Sequence, residues 1–184
     1  MIAIMLETLI NQLHAIPGGK ERSLAAGAFL FHQGDEVESL FLVLAGEIRL
    51  VRHQPDGGSI TLQRATAGGI LAEASLYSRC YHCHAFAQKA AHVYVLPRQA
   101  VFARLQADST FARNWMAYLA REVQQARFRS ELLSLKTVAA RLDAWLNWQG
   151  GGLPPKGEWK TLAEQLAVSP EALYREMARR KWTP

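Results

Sequence analysis

The sequence predicts an α+β protein, with a double-stranded β-helix of the jelly-roll kind first, then a long helix, then a small helical region. Three observations predict it. Short apolar segments separated by glycine turns run from Ser23 to Leu96. After Pro97 the apolar period changes to three and four. Near the C-terminus two short helical segments are joined by a tight turn. The expected division is 1–108 for the roll, 109–134 for the long helix and 135–184 for the last region.

The 184 residues are 49% hydrophobic and 20% charged, as in globular proteins. No apolar run is long enough to cross a membrane. No Lys or Arg precedes Lys20, so a secretory signal is not expected. Two cysteines beside histidines, without an export signal, suit a reducing cytoplasm. The net charge of +5 is uneven. Residues 1–96 carry seven basic and eight acidic groups, whereas residues 97–184 carry fourteen and eight. That excess is either a solvated face or a surface for a polyanion.

Met1 to Ile16 places Ile4, Met5, Leu9, Ile10 and Leu13 at helical spacing, and Pro17-Gly18-Gly19 ends the helix. Phe29-Leu30-Phe31 is a strand. Ser39 to Leu44 and Glu47 to Val51 are two more, parted by Ala45-Gly46. Gln54 to Gly58, with its Asp56-Gly57 pair, turns into Ile60-Thr61-Leu62. Ala67-Gly68-Gly69 is a further turn. Ala85 to Leu96 reads as short strands. Gln99 to Gln106 is a short helix, and Ser109 or Thr110 can cap the long one.

The long helix carries Ala112, Met116, Leu119, Val123, Ala126, Ser130 and Leu133 in steps of four and three. This is a heptad seam that suits a second copy of the chain. Burial in a monomer is the plainer alternative. A second flank of Phe111, Trp115 and Tyr118 can pack on the roll. Another helix, Leu135 to Trp148, carries Val138, Leu142, Trp145 and Leu146 on one side. A glycine-rich loop follows. Thr161 to Glu164 reads as a capping box. Ser169 caps a last helix with Pro170 at its first position. That helix turns Leu173 and Met177 inward and Glu171, Tyr174, Arg175, Arg179 and Arg180 outward. The arrangement matches a helix-turn-helix, whose second helix enters the major groove of DNA. Ser169, Glu171, Tyr174, Arg175 and Arg179 are the candidate DNA-contacting residues. An ordinary helical hairpin with a solvated basic face is the alternative.

Arg79-Cys80-Tyr81-His82-Cys83-His84 holds both cysteines and two of six histidines. Thiolate and imidazole bind soft and borderline metals. Cys80, His82, Cys83 and His84 are therefore candidate ligands. If a strand starts here, Cys83 shares a face with Ala85 and Ala87, while His82 and His84 share the opposite one. Two thiolates suit Cu(I), with one His assisting; Zn(II) and haem are alternatives. A Cys80–Cys83 redox pair, buried thiols and plain surface histidines are the readings without metal.

In that order, the motifs resemble the CRP/FNR family of bacterial transcription regulators. Gln33-Gly34-Asp35, Leu42 to Gly46 and Ala72-Glu73-Ala74-Ser75-Leu76 resemble its cyclic-nucleotide-binding-type β-roll. The helix ending at Leu133 is similar to its dimerisation helix, with Met116, Leu119, Val123, Ala126 and Leu133 at the interface. Thr161 to Arg180 resembles its helix-turn-helix. The resemblance implies a non-enzymatic homodimer that binds palindromic double-stranded promoter DNA in response to an effector. RNA polymerase is a further expected partner and the membrane is not. Glu171 and Arg175 fall on the family's base-reading positions and Tyr174 on a variable one.

Two departures stand out. Tyr81-His82 takes the place of the family's phosphate-binding Arg-Ser or Arg-Thr, and Ala72 replaces a glycine, so cAMP is not expected as effector. Only Lys181-Trp182-Thr183-Pro184 follows the last helix, so a truncated or absent wing is expected. A cupin-type metal enzyme is the alternative of another class, with His32, His53 and His92 as its only further strand-region histidines.

Overall fold

The computed structural model describes residues 2–55 and 57–182, with side chains from Glu7 onward. Ile4, Met5, Asp56, Thr183 and Pro184, used above, lie outside the described side chains. The chain forms two compact units that divide between Leu119 and Ala120.

The first unit is built on one antiparallel sheet. Its strands are β1 (Lys20–Leu24), β2 (Phe29–Phe31), β3 (Ser39–His53), β4 (Ser59–Ala65), β5 (Ile70–Leu71) and β6 (His84–Pro97). The order is β1-β6-β3-β4, with β2 on β6 and β5 on β3. The two strands expected over residues 39–51 are one, bent by register shifts between Val43 and Ile48. Such shifts let a long strand serve two parts of a curved sheet. Gly46 sits at the bend with φ +84°, and a Cβ there would meet the Ala90 carbonyl oxygen. The short strands expected over 85–96 are likewise the single β6. β1 went unforeseen because Lys20-Glu21-Arg22-Ser23 is polar and mostly exposed; it is an edge strand, where charge is tolerated.

One core lies among the strands and includes Phe31, Phe41, Val43, Ile48, Leu50, Tyr81, Cys83 and Val93. A second gathers Leu9 and Leu13 of α1 (Ile2–His14), Leu40, Leu42 and Leu96 of the sheet, and Val101 of α2 (Arg98–Ala107). It also takes Phe111, Trp115 and Tyr118 from the first half of α3 (Ser109–Ser134), the flank expected to pack on the roll. Each fully buried leucine or phenylalanine here contributes about 1.5–3 kcal/mol. The start of α3 is capped one residue earlier than expected: Asp108 Oδ1 accepts from the Thr110 and Phe111 amides at 2.9 and 3.0 Å.

The second unit contains the rest of α3, α4 (Val138–Gln149), α5 (Trp159–Gln165) and α6 (Pro170–Arg179). Thr137 caps α4 by accepting from the Ala140 amide. α5 starts at Trp159, so Thr161 lies inside the helix and the expected capping box does not open it. The Trp159 ring sits in the core and its Nε1–H donates to the Pro154 carbonyl, which fixes the earlier start. Leu142, Trp145, Trp159, Leu162, Leu166, Leu173 and Met177 form this unit's core with Phe128 and Leu132.

Candidate functional site

The Cys80–His84 turn is held by main-chain bonds to the 34–37 loop. Gly34 N–H donates to Tyr81 O, Tyr81 N–H to Asp35 O, and Val37 N–H to Arg79 O, at 2.9–3.0 Å. Glu36 and Cys80 form a single β-bridge. β6 starts only at His84, so His82 and Cys83 precede the strand they were expected to begin. Alternation nevertheless runs through the turn. Tyr81, Cys83, Ala85 and Ala87 are buried; His82 is exposed and His84 half-buried.

Each side chain of the turn has its own surroundings. The Tyr81 ring stacks on Phe31 with centroids 3.9 Å apart. Its hydroxyl donates to Ser39 O at 2.7 Å and accepts from Ser39 N–H at 3.3 Å. Burial pushes the Tyr81 phenol up from its usual range. Cys83 is 2% exposed in the sheet core. Burial pushes its thiol up, the Arg52 guanidinium pulls it down, and the Glu73 carboxylate pushes it up again. Cys80 is half-buried. His82 Nδ1 lies 3.0 Å from Ser75 Oγ, and Arg52 donates to the His82 carbonyl at 3.2 Å.

His84 faces a neighbourhood that spacing did not reveal. Its Nδ1 accepts from the Gln33 amide at 3.2 Å. Its ring centroid lies 4.8 Å from that of His53 and 5.7 Å from that of His32. Partial burial, His53 and His32 lower its pKa, and Asp35 opposes them. The signal was present in part: His84 pairs with Val51 in register, two residues from His53. His92 lies elsewhere on β6 and meets Glu21 at 3.1 Å. Among the described residues, no three His, Cys, Asp or Glu side chains are gathered so that they could hold one metal ion. The turn thus presents two cysteines three residues apart, one outward imidazole bound to Ser75, and a fourth side chain turned toward other histidines.

Ala72 adopts φ 67° in the left-handed region. It leads into a single 3₁₀ turn, Glu73–Ser75, whose Ser75 side chain is the one that meets His82. β5 lies just before it. There Ile70 N–H donates to the Tyr118 hydroxyl at 3.3 Å, and that hydroxyl lies 3.4 Å from Ile70 O.

On α3 the seam residues Met116, Val123 and Leu133 are 62%, 48% and 61% exposed. Ala126 is also exposed, while Leu119 is half-buried against the second core. Such apolar exposure along one stripe is what an unpartnered helix face presents.

In the second unit Val168 N–H donates to Ala163 O, and Ala167 turns with φ 51° between α5 and α6. Ser169 Oγ accepts from the Ala172 amide at 3.2 Å, capping α6. Leu173 and Met177 are buried, and Glu171, Tyr174, Arg175 and Arg179 are exposed. Arg180 departs from the expected outward row. It is bound to Glu176 and Asp143, donates to Ala139 O at 3.2 Å, and ties α6 to α4. Spacing missed this because Glu176 is buried: Arg179 and Arg180 hold its carboxyl at about 2, down from 4.5. A Glu followed by Arg at three and four residues was the available signal.

The Cyclic nucleotide-binding domain family matches residues 21–108. The Cyclic AMP receptor protein of Thermus thermophilus is 29% identical over 124 residues, which are 67% of this chain and 57% of that protein. The chain thus matches little more than half the length of this curated relative. The crystal structure of the Thermus thermophilus Catabolite Activator Protein is 26% identical, with 95% of this chain and 84% of that one covered and a TM-score of 0.58. FixK2 of Bradyrhizobium japonicum shares the fold at 18% identity, with 88% and 83% covered and a TM-score of 0.68. Residues 21–108 thus match a cyclic nucleotide-binding domain, and the chain shares its fold with the Thermus thermophilus Catabolite Activator Protein and FixK2.

Proposed function

We propose that the protein is a homodimeric, effector-responsive regulator that binds double-stranded promoter DNA in the cytoplasm and acts on RNA polymerase there. The observation that carries this is α6. A tight turn precedes it, its inner face is packed by Leu173 and Met177, and its outer face presents Glu171, Tyr174, Arg175 and Arg179. An arginine there can pair bidentately with guanine and a glutamate can accept from cytosine. Ser169 fixes the start of the helix. The exposed Met116, Val123, Ala126 and Leu133 stripe, with Leu119 at its edge, supports a dimer formed along α3. The sheet domain, α3 and the terminal helices then sense, dimerise and bind DNA, over 1–108, 109–134 and 135–184.

The effector we propose is Cu(I), held by Cys80 and Cys83 with His82 or His84 assisting. Two sulfur ligands suffice for this ion. Zn(II) wants four ligands, and the four candidates face different surroundings. Haem on a single imidazole, through outward-facing His82, is a further alternative. Thiol oxidation without metal is the rival reading at the same two cysteines, since it and Cu(I) binding both use a thiolate. The buried Tyr81 offers no cation to a phosphate, which supports an effector other than cAMP.

A path from the turn to α3 supports the coupling. His82 meets Ser75, the 3₁₀ turn at Ser75 follows β5, and Ile70 of β5 meets the Tyr118 hydroxyl. An effector that moves His82 thereby bears on α3, and a shift in α3 would alter how two copies of α6 reach half-sites one helical turn apart. Titrating reduced protein with Cu(I), then a Cys80→Ser/Cys83→Ser variant, tests the effector. Equally tight binding by the variant would refute Cu(I). Tyr118→Phe should keep Cu(I) binding and weaken its effect on DNA affinity.

A further inference from the structure

A cleft of about 690 Å³ opens at the other side of Tyr81, between β1 and the loop that precedes β3. Its volume lies in the range of small-molecule sites. Register builds its floor. Lys20 pairs with Val95, and Val95 pairs with Phe41, so three strands send these side chains to one face. Phe41 is 4% exposed and its ring lies 6.5 Å from that of Tyr81.

The rim carries opposite charges on opposite sides. Lys20 and Arg22, two residues apart on β1, share the face that lines the cleft. Asp35, Glu36 and Glu38 line it from the loop, and Asp35 Oδ2 is already taken by the His32 amide at 2.8 Å. Exposed charges of opposite sign gain little by pairing with each other and stay available to a ligand. Here no ion pair joins Lys20 or Arg22 to Glu36 or Glu38 among the described residues. All four are exposed, and the loop that carries the acids is pinned by its main-chain bonds to the Cys80–His84 turn. The two charged walls are therefore fixed on separate elements with an apolar strip between them.

We propose that this cleft binds an α-amino acid with a large apolar side chain. Its carboxylate would meet Lys20 and Arg22, its ammonium Glu36 and Glu38, and its side chain the strip at Phe41. A ligand lacking either charge would leave one wall unmatched. The site shares no ligand atom with Cys80, His82, Cys83 or His84, so its failure leaves the regulator reading untouched. An occupant would also brace the 34–38 loop and, through it, the turn.

The test is calorimetric titration of the full chain with L-phenylalanine, L-leucine and L-tryptophan, and with 3-phenylpropionate and phenethylamine as single-charge analogues. The amino acid should bind, and each single-charge analogue should bind at least about tenfold more weakly. Lys20→Met/Arg22→Met and Glu36→Gln/Glu38→Gln should each weaken phenylalanine by about tenfold while thermal melting is unchanged. These side chains are exposed, and the analogue series on unaltered protein does not depend on the variants folding. Absence of binding by phenylalanine, leucine and tryptophan would overturn the proposal, as would an analogue that binds as tightly as phenylalanine.

Discussion

The Cys80–His84 turn and α6 are both five to ten residues of mixed polar and apolar character, and they hold their side chains in different ways. In α6 the helix itself decides: Leu173 and Met177 recur at four residues and go inward, and Tyr174 and Arg175 between them go outward. In the turn, a distant loop decides. Three main-chain bonds from residues 34–37, across 42 to 47 residues of sequence, set where Tyr81 and Cys83 point. A local period can thus expose a candidate surface to sequence reasoning, whereas a site stitched by long-range pairing hides its true neighbours.

The largest effect should separate buried from outward positions within the turn. Tyr81→Ala removes a ring stacked on Phe31 and leaves Ser39 without its hydroxyl partner, and should cost about 3–5 kcal/mol in urea unfolding. His82→Ala, at an exposed position, should change stability by less than about 1 kcal/mol. Similar losses from both would mean that the turn is not sided as described.

The next contrast lies on α6. Arg175→Ala should weaken specific DNA binding by about 1–3 kcal/mol and relax one base position, measured by fluorescence anisotropy on matched and mismatched sites. The same loss on every sequence would reassign Arg175 to phosphate contact. Its neighbour network has a pH signature. The Glu176 carboxyl is held at about 2 when folded, against 4.5 ordinarily. Its contribution is therefore full above pH 4.5 and is lost as pH falls toward 2. Glu176→Gln should flatten that part of the acid unfolding profile.

The smallest effect concerns backbone strain beside the turn. Ala72 holds a left-handed φ that glycine adopts freely. Ala72→Gly should stabilise by about 0.5–1 kcal/mol, read as a raised melting temperature. A loss of stability would show that packing of the buried Ala72 methyl outweighs the strain.

Much of the fold was legible. Turn glycines marked the strand region, and the Phe111-Trp115-Tyr118 flank marked which side of α3 is buried, because both signals are local. β1 was not legible, since a charged edge strand carries no apolar alternation. Nor was the unity of β3, whose glycine bend looks like a turn when its β6 partner is out of view. The α5 start was misplaced because Thr161 and Glu164 match a cap in spacing alone, while the buried Trp159 ring sets the real boundary. At the site, the residue types of the turn were visible, but the His32 and His53 neighbours of His84 and the Ser75 partner of His82 arise only when strands pair.

The most direct test is selection of duplex fragments from a promoter library by purified, reduced protein at physiological salt, with sedimentation of the bound species. A dimer that enriches a palindrome with half-sites about one helical turn apart, and whose affinity for it changes with Cu(I), is the expected result. A monomer that enriches no sequence would contradict the account.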